Sequence, residues 1–328
     1  MNKFIKRTMR VITTGLLMFS LVACGQNKPE NNTQGKAEQG EKKEITIGMA
    51  FPAADHGWLG AIITNAEEEA KAQGVKYIMT TADNPSKQTS NVEDLITRKV
   101  DAIVMLPIET DPMTPVAAKV QEAGIPLIIV DRELNTDKFT ALIKGDNKGI
   151  GTNAAKYIAK ELQGKGNVVE IAGNPSSVTT LRSEGFKDEL KNYPDIKVIA
   201  SQAGDFQKEK SLNVMQNILQ TNPQIDAVYT QDDEMALGVL QAIKEAKRTD
   251  IKVVTGAGGC KDVYKLIKDG DSMMKATFIY SPLMVKDAVK TAVNKVKGNE
   301  PSSKTIVIPA DQVDKTNVEK LYDPNSLY

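Results

Sequence analysis

Residues 45–74 read ITIGMAFPAADHGWLGAIITNAEEEAKAQG. An apolar run of strand length, 45–51, ends in a polar turn, and a longer amphipathic stretch then runs to Gly74. Glycine is a good helix stop there, because it tolerates the left-handed conformation that closes a helix. The run lacks the in-and-out alternation of a half-exposed strand, which describes a strand covered on both faces. The turn between the two holds the only histidine of the chain, His56, and its only tryptophan, Trp58. A tryptophan in such a turn has two uses: to fill a core, or to offer a flat wall to something that binds.

The same unit recurs outward from this stretch. Runs rich in Val and Ile follow at 75–81, 100–106, 125–131, 139–144, 167–172, 196–201, 225–230, 251–256 and 275–280, with amphipathic segments between them. One of these, SLNVMQNILQTNP, is ended by Asn222-Pro223. Strand, helix, strand with short connections specifies an α/β protein of parallel sheet with helices on both faces. So many strands exceed one doubly wound domain, so two are expected, with the exchange near Gly145-Asp146-Asn147.

The chain begins differently. MNKFIKRTMRVITTGLLMFSLVACG carries Lys3, Lys6, Arg7 and Arg10 before an apolar run over 11–23, too short for a permanent membrane span, which is the pattern of a secretion signal. Its end, Leu21-Val22-Ala23-Cys24-Gly25, resembles the lipobox of bacterial lipoproteins. That resemblance implies acylation of Cys24, a membrane contact through this lipid, and an extracytoplasmic location. Residues 25–43, rich in Gln, Asn, Lys and Glu without a large apolar side chain, are expected to form a flexible tether. If Cys24 carries lipid, Cys260 has no disulfide partner, and stability must come from the cores. The 42 basic and 42 acidic residues balance, and the leader takes away four basic ones, leaving −4. Nothing in that balance points to nucleic acid.

In open parallel sheets, ligands sit at the carboxyl edge of the strands, where loops and helix N-termini converge. The residues that follow the runs here form an unusual inventory. They include His56 and Trp58; Asp131 and Arg132; Thr180 and Arg182; Phe206; Gln231, Asp232, Asp233 and Glu234; Ala257 and Cys260; and Tyr280. Carboxylates, guanidiniums and aromatics together suit a neutral polyhydroxylated ligand. Each hydroxyl both donates and accepts, an arginine fork bridges adjacent oxygens, and the apolar face of a sugar ring needs flat hydrocarbon.

The segments LIIVDRE, GDNKGIG, LRSEGF, ASQAGDFQKEKSLNVMQNIL and QDDEMALGVLQAIKEA resemble the periplasmic sugar-binding proteins of ABC importers, in their ribose-binding branch. The resemblance implies a type I periplasmic binding protein of two Rossmann-like lobes joined by three hinge crossovers, closing on a sugar. The expected first lobe takes 44–145 and 281–306, and the second 146–280 and 307–328. By position, Asp131 and Arg132 match the family's sugar-binding pair, Phe206 an aromatic of the second lobe, Trp58 a ring-stacking aromatic and His56 a neighbouring polar position. Asp232 stands where ribose binders have asparagine. Thr180 takes the place of a binding arginine, and Arg182, two residues on, is the expected replacement. Departures are Ala257 for an aspartate, Tyr280 for a glutamine, Leu106 for an asparagine and Pro52 for a serine. The implied ligand is therefore a different sugar or a sugar alcohol.

Plainer readings stand beside these. Asp131 and Arg132 can form a structural ion pair, and one carboxylate of the acidic triplet can cap the following helix. Ligand contact is assigned to Asp232 and capping or support to Asp233. Cys260 fits a small residue at a helix start, with no metal ligand set around it in sequence. The G-x-G-x-x-A pattern at 149–154 is a weak dinucleotide match, and no phosphate loop, cofactor site or acyl-transfer constellation is expected. The expected function is a monomeric, non-enzymatic receptor that serves an ABC permease and its ATPase. A sensory sugar receptor and an exported carbohydrate-active enzyme, which would need paired carboxylates, are the alternatives.

Overall fold

A computed structural model of the chain describes residues 44–328. The leader, Cys24 and the tether lie outside the described residues. The first sheet is built from β1 (Thr46–Pro52), β2 (Lys76–Ala82), β3 (Ala102–Met105), β4 (Leu127–Val130) and β5 (Ala141–Gly145), joined by α1 (Gly57–Ala72), α2 (Pro85–Thr97) and α3 (Thr110–Glu122). The chain then passes into α4 (Asn147–Glu161), β6 (Lys165–Ala172), α5 (Ser177–Leu190), β7 (Asp195–Ala203), α6 (Lys208–Thr221), β8 (Ala227–Thr230), α7 (Asp233–Glu245), β9 (Val253–Thr255), α8 (Lys261–Asp269) and β10 (Met274–Phe278). It finishes with α9 (Met284–Val296), β11 (Thr305–Ile308), β12 (Gln312–Asp314) and α10 (Val318–Leu321).

The two sheets run β2-β1-β3-β4-β5-β11 and β7-β6-β8-β9-β10-β12, so the second repeats the strand order of the first. Every pairing is parallel except β12 on β10. The order reverses beside β1 in one sheet and beside β6 in the other, and a doubly wound sheet opens a crevice at that place. The reason for the parallel arrangement is in the strands: β3 and β4 are buried at every residue, so both faces need helices. In the first sheet α1 and α9 pack together, and α9 also lies on β3, β4 and β5. Because α9 follows β10 yet covers the first sheet, the chain has crossed back.

Three passages therefore link the lobes, after β5, after β10 and after β11. The strand Thr305–Ile308 pairs with β5 along its whole length, so the last passage falls after Ile308, two residues beyond the position expected from the sequence.

The glycines of the dinucleotide-like pattern have a packing role. A Cβ at Gly151 would stand 2.0 Å from the Arg182 carbonyl oxygen, and one at Gly185 would stand 2.1 Å from that of Lys148. Gly151 of that pattern and Gly185 let α4 and α5 cross backbone to backbone.

Candidate functional site

The carboxyl edges of both sheets face each other, and hydrogen bonds cross between the lobes on two sides. On one side Gly57 N donates to Glu234 Oε1 at 2.7 Å, and Gln207 Nε2 donates to Asp55 Oδ2 at 3.1 Å. On the other, Glu133 N donates to Ser177 Oγ at 2.7 Å, and Ser177 N donates to Thr110 Oγ1 at 3.0 Å. Between them lies a hollow of about 30 Å³, lined by His56, Trp58, Asp131, Arg132, Val178, Arg182, Phe206, Asp232, Ala257, Gly258 and Tyr280. That is room for a water or two and far below the usual range for ligand pockets, so a larger guest enters only when side chains or lobes move apart.

Local backbone explains how several of these side chains reach the hollow. Asp131 follows β4 with φ 68°, and Asp205 and Phe206 follow β7 with φ 56° and 62°. Left-handed backbone of this kind costs about 1–3 kcal/mol unless neighbours fix it, and it turns a side chain away from the strand's ordinary path. For Phe206, space is provided by Gly173: a Cβ there would stand 2.0 Å from the ring. Gly145 does the same for Tyr280, whose ring would lie 2.1 Å from an added Cβ.

Tyr280 is the centre of the arrangement. Its hydroxyl donates to Asp131 Oδ1 and accepts from Asn147 Nδ2 at 3.1 Å. Its carbonyl accepts the Trp58 indole N–H at 2.7 Å, and the two rings lie 5.7 Å apart. The Arg182 guanidinium sits 4.4 Å above its ring, a favourable place for a cation on an aromatic face.

From the sequence, Trp58 is expected to be covered by a guest and not by its own interior; it is 5% exposed within the core cluster, and it also lines the hollow.

The charged groups are deeply buried. Asp131 and Arg132 are each 3% exposed, with Arg132 Nε 3.6 Å from Asp131 Oδ2. Burial raises the Asp131 carboxyl and the Arg132 cation opposes that rise. Arg132 Nη1 donates to the carbonyls of Pro107 and Ile108, whereas its Nε has no hydrogen-bond partner. His56 Nδ1 is likewise buried without a partner. Burial lowers the His56 pKa to about 4 against the pull of Asp55, so its ring is neutral at physiological pH.

On the second lobe Arg182 donates Nε to Asn147 Oδ1 at 2.9 Å and Nη1 to the Gln231 carbonyl. Gln231 is held in turn by Glu170, fully buried, which also accepts from Ser183 and Ser201 at 2.6 and 2.7 Å.

One assignment from the sequence is corrected, and for Asp233 the structure keeps support and removes capping. Thr180 does not line the hollow; it borders an outer groove with Glu109, Asp111 and Ser176. Two residues along a helix turn the side chain by roughly 200°, so Thr180 and Arg182 cannot face the same way. The helix cap is Asp232, whose Oδ1 accepts from Glu234 N and Met235 N at 2.8 and 3.1 Å, while Asp232 also borders the hollow. Asp233 is the first helical residue. It braces the loop after β9, accepting from Gly259 N and Cys260 N at 2.8 Å and from the Thr277 hydroxyl at 2.5 Å. Burial pushes Asp232 up to about 8 and Asp233 to about 6. Cys260 is a buried free thiol.

Asn147, Gln231, Glu170 and Tyr328 support the hollow without having been assigned a role from the sequence. Asn147 and Gln231 do stand directly after strands, which is the signal that marked the others.

Two lobes of matching strand order meet over a hollow of aromatic faces and buried charge, which is the architecture of a two-lobed binding protein. The family model described as periplasmic binding protein domain matches residues 47–300, and the chain belongs to that family. It is 35% identical to the ribose import binding protein RbsB of Bacillus subtilis (strain 168) over 93% of this chain and 97% of that one. It is 34% identical to the xylitol-binding protein of Mycolicibacterium smegmatis, over 94% of this chain and 86% of that one. Among solved structures, an ABC transporter solute binding protein from Mycobacterium smegmatis with bound glycerol superposes with a TM-score of 0.81 at 30% identity, over 86% of this chain and 98% of that one. These relatives are binding proteins and not enzymes.

Proposed function

We propose that this chain is the solute receptor of an ABC importer, that it takes up a small neutral sugar or sugar alcohol between its lobes, and that an acylated Cys24 holds it on the outer face of the cell membrane. The closed form is what a permease, driven by a separate ATPase, would receive. No bond is made or broken in this role.

One observation carries the reading. His56 Nδ1 and Arg132 Nε are buried without hydrogen-bond partners, Nε having only the longer ion-pair contact with Asp131, on the same hollow that Trp58, Phe206 and Tyr280 wall with aromatic surface. An unsatisfied buried polar group costs about 1–3 kcal/mol, and a polyhydroxy ligand is the kind of guest that satisfies such groups while laying its C–H faces on the rings. Neutral His56 can donate or accept at Nδ1 according to its tautomer, which matches the dual character of a hydroxyl. Tyr280 and Ala257, in place of the polar residues of ribose binders, favour a smaller or less hydroxylated guest than a ribose site would hold.

Trp58, as the only tryptophan, makes its fluorescence a direct report on the hollow. Titration with pentoses, hexoses and alditols should give saturable one-site binding by at least one of them. A flat response to all would overturn the proposal. Cys24→Ala should release the protein from the membrane fraction; retention of the variant there would overturn the anchor. Growth and uptake of the ligand after gene deletion separate transport from sensing.

A further inference from the structure

Tyr328 is 4% exposed, and its hydroxyl lies 3.1 Å from Oδ2 of Asp232. Since Oδ1 of the same carboxylate serves the helix cap, both oxygens of Asp232 have partners from the protein itself. The ring stands where the lobes meet. Its Cδ2 is 3.5 Å from the place of a Cβ on Gly57, at the start of α1, and its hydroxyl is 2.6 Å from the place of one on Gly258. Gly258 has φ 144° and lines the hollow, so a side chain there would be strained and would also collide with this phenol. The approach of the segment is fixed by Lys261 Nζ, which donates to the Ser326 carbonyl at 2.9 Å.

We propose that Tyr328 is a positioning residue that sets the length of ligand the cleft accepts. It gives Asp232 the hydroxyl that a longer polyol would otherwise bring, and its ring occupies the space behind Gly258 that the longer polyol would enter. The inference rests on the polyol reading of the cleft. In a site of this kind a carboxylate oxygen accepts from a ligand hydroxyl. With that oxygen already engaged, an additional CHOH unit arrives without a partner and without room, which is the kind of mismatch that lowers affinity by about tenfold or more.

The test uses the full chain with Tyr328→Phe and Tyr328→Leu, titrated by Trp58 fluorescence against the alditols from tetritols to hexitols, with circular dichroism and melting curves for each variant. The quantity read is the ratio of affinities between alditols that differ by one CHOH unit. That ratio should move toward the longer ligand by about tenfold in Tyr328→Leu, which opens space. It should move in the same direction, by a smaller factor, in Tyr328→Phe, which keeps the ring but frees Asp232 Oδ2. An unchanged ratio in a folded Tyr328→Phe protein overturns the assignment, even if Tyr328→Leu fails to fold, because a merely structural tyrosine would scale all affinities alike. Wild-type protein that binds no member of the series overturns the polyol reading and this inference with it. Wild-type protein that binds, with both variants keeping its ratio, overturns this inference alone.

Discussion

The side chains that line the hollow differ between the lobes in hydrogen-bond completion, although Asn174 Oδ1 of the second lobe, on the neighbouring cavity shared with His56 and Arg132, is also without a partner. On the first lobe His56 Nδ1 and Arg132 Nε remain without partners. On the second, Arg182 is engaged by Asn147 and Gln231, and Asp232 by Glu234, Met235 and Tyr328. A side chain whose valences are met by its own protein supports shape. One whose valences are open gains when a guest arrives. If the proposed guest binds in this hollow, the open donors of the first lobe are where it gains most, and the engaged side chains of the second form the wall opposite.

Substitutions on the two sides should therefore separate affinity from stability. The largest effect is expected from Arg132→Met, which removes an open donor and leaves Asp131 buried without its cation. Ligand affinity should fall by at least about 100-fold, with about 3–5 kcal/mol of folding stability lost as well, measured by fluorescence titration and urea unfolding. His56→Leu removes only an open valence. Affinity should drop by about 1–3 kcal/mol while the urea midpoint holds or rises, and a midpoint that falls sharply would contradict the asymmetry.

Arg182→Met should do the reverse on the second lobe, because it strips a charged donor from the Asn147 side chain and the Gln231 carbonyl. Stability should fall by about 1.5–3 kcal/mol, and affinity less than for Arg132→Met. Equal affinity losses at the two arginines would break the comparison.

The smallest effect is expected for Asp232→Asn near pH 4, where the buried acid is protonated and asparagine caps a helix about as well as aspartate; at neutral pH the variant should be the more stable protein. Its signature lies in the pH dependence. Burial raises the folded Asp232 pKa to about 8, so its contribution to stability is fully present below its unfolded value, near pH 4, and is lost as pH rises through about 8. His56 has the opposite sign: its folded pKa is depressed to about 4, so its contribution is present above about pH 6.5 and is lost as pH falls through 4. Urea unfolding across this range should show Asp232→Asn flattening the decline between pH 4 and 8, and His56→Leu flattening the acid limb between 6.5 and 4.

The α/β architecture was legible because buried parallel strands are continuous apolar runs, and the ten runs correspond to β1 through β10. The strands β11 and β12 escaped for a physical reason. They are short edge strands; β11 alternates exposed and half-buried residues and leaves Val307 49% exposed, so neither resembles a core run. At the site, nine of the ten expected residues line one hollow, eight of them within six residues of a strand's end and Arg182 from inside α5. Thr180 failed because strand-end logic does not extend into a helix, where direction changes with every residue. The cap falls on Asp232 and not on Asp233 for a similar reason: capping belongs to whichever residue stands just outside the helix, and a shift of one position in its start decides it. Tyr328 carries no local signal, because only the last passage between the lobes brings that part of the chain to Asp232.

Tyr280 belongs both to the cavity and to the segment by which the chain leaves β10 for α9. The peptide that carries this phenol also holds Trp58 by its carbonyl. A guest that pushes the ring aside must turn that peptide and loosen the indole with it. The room available and the angle at which the halves swing are thus expected to be one mechanical variable, adjusted by a single tyrosine.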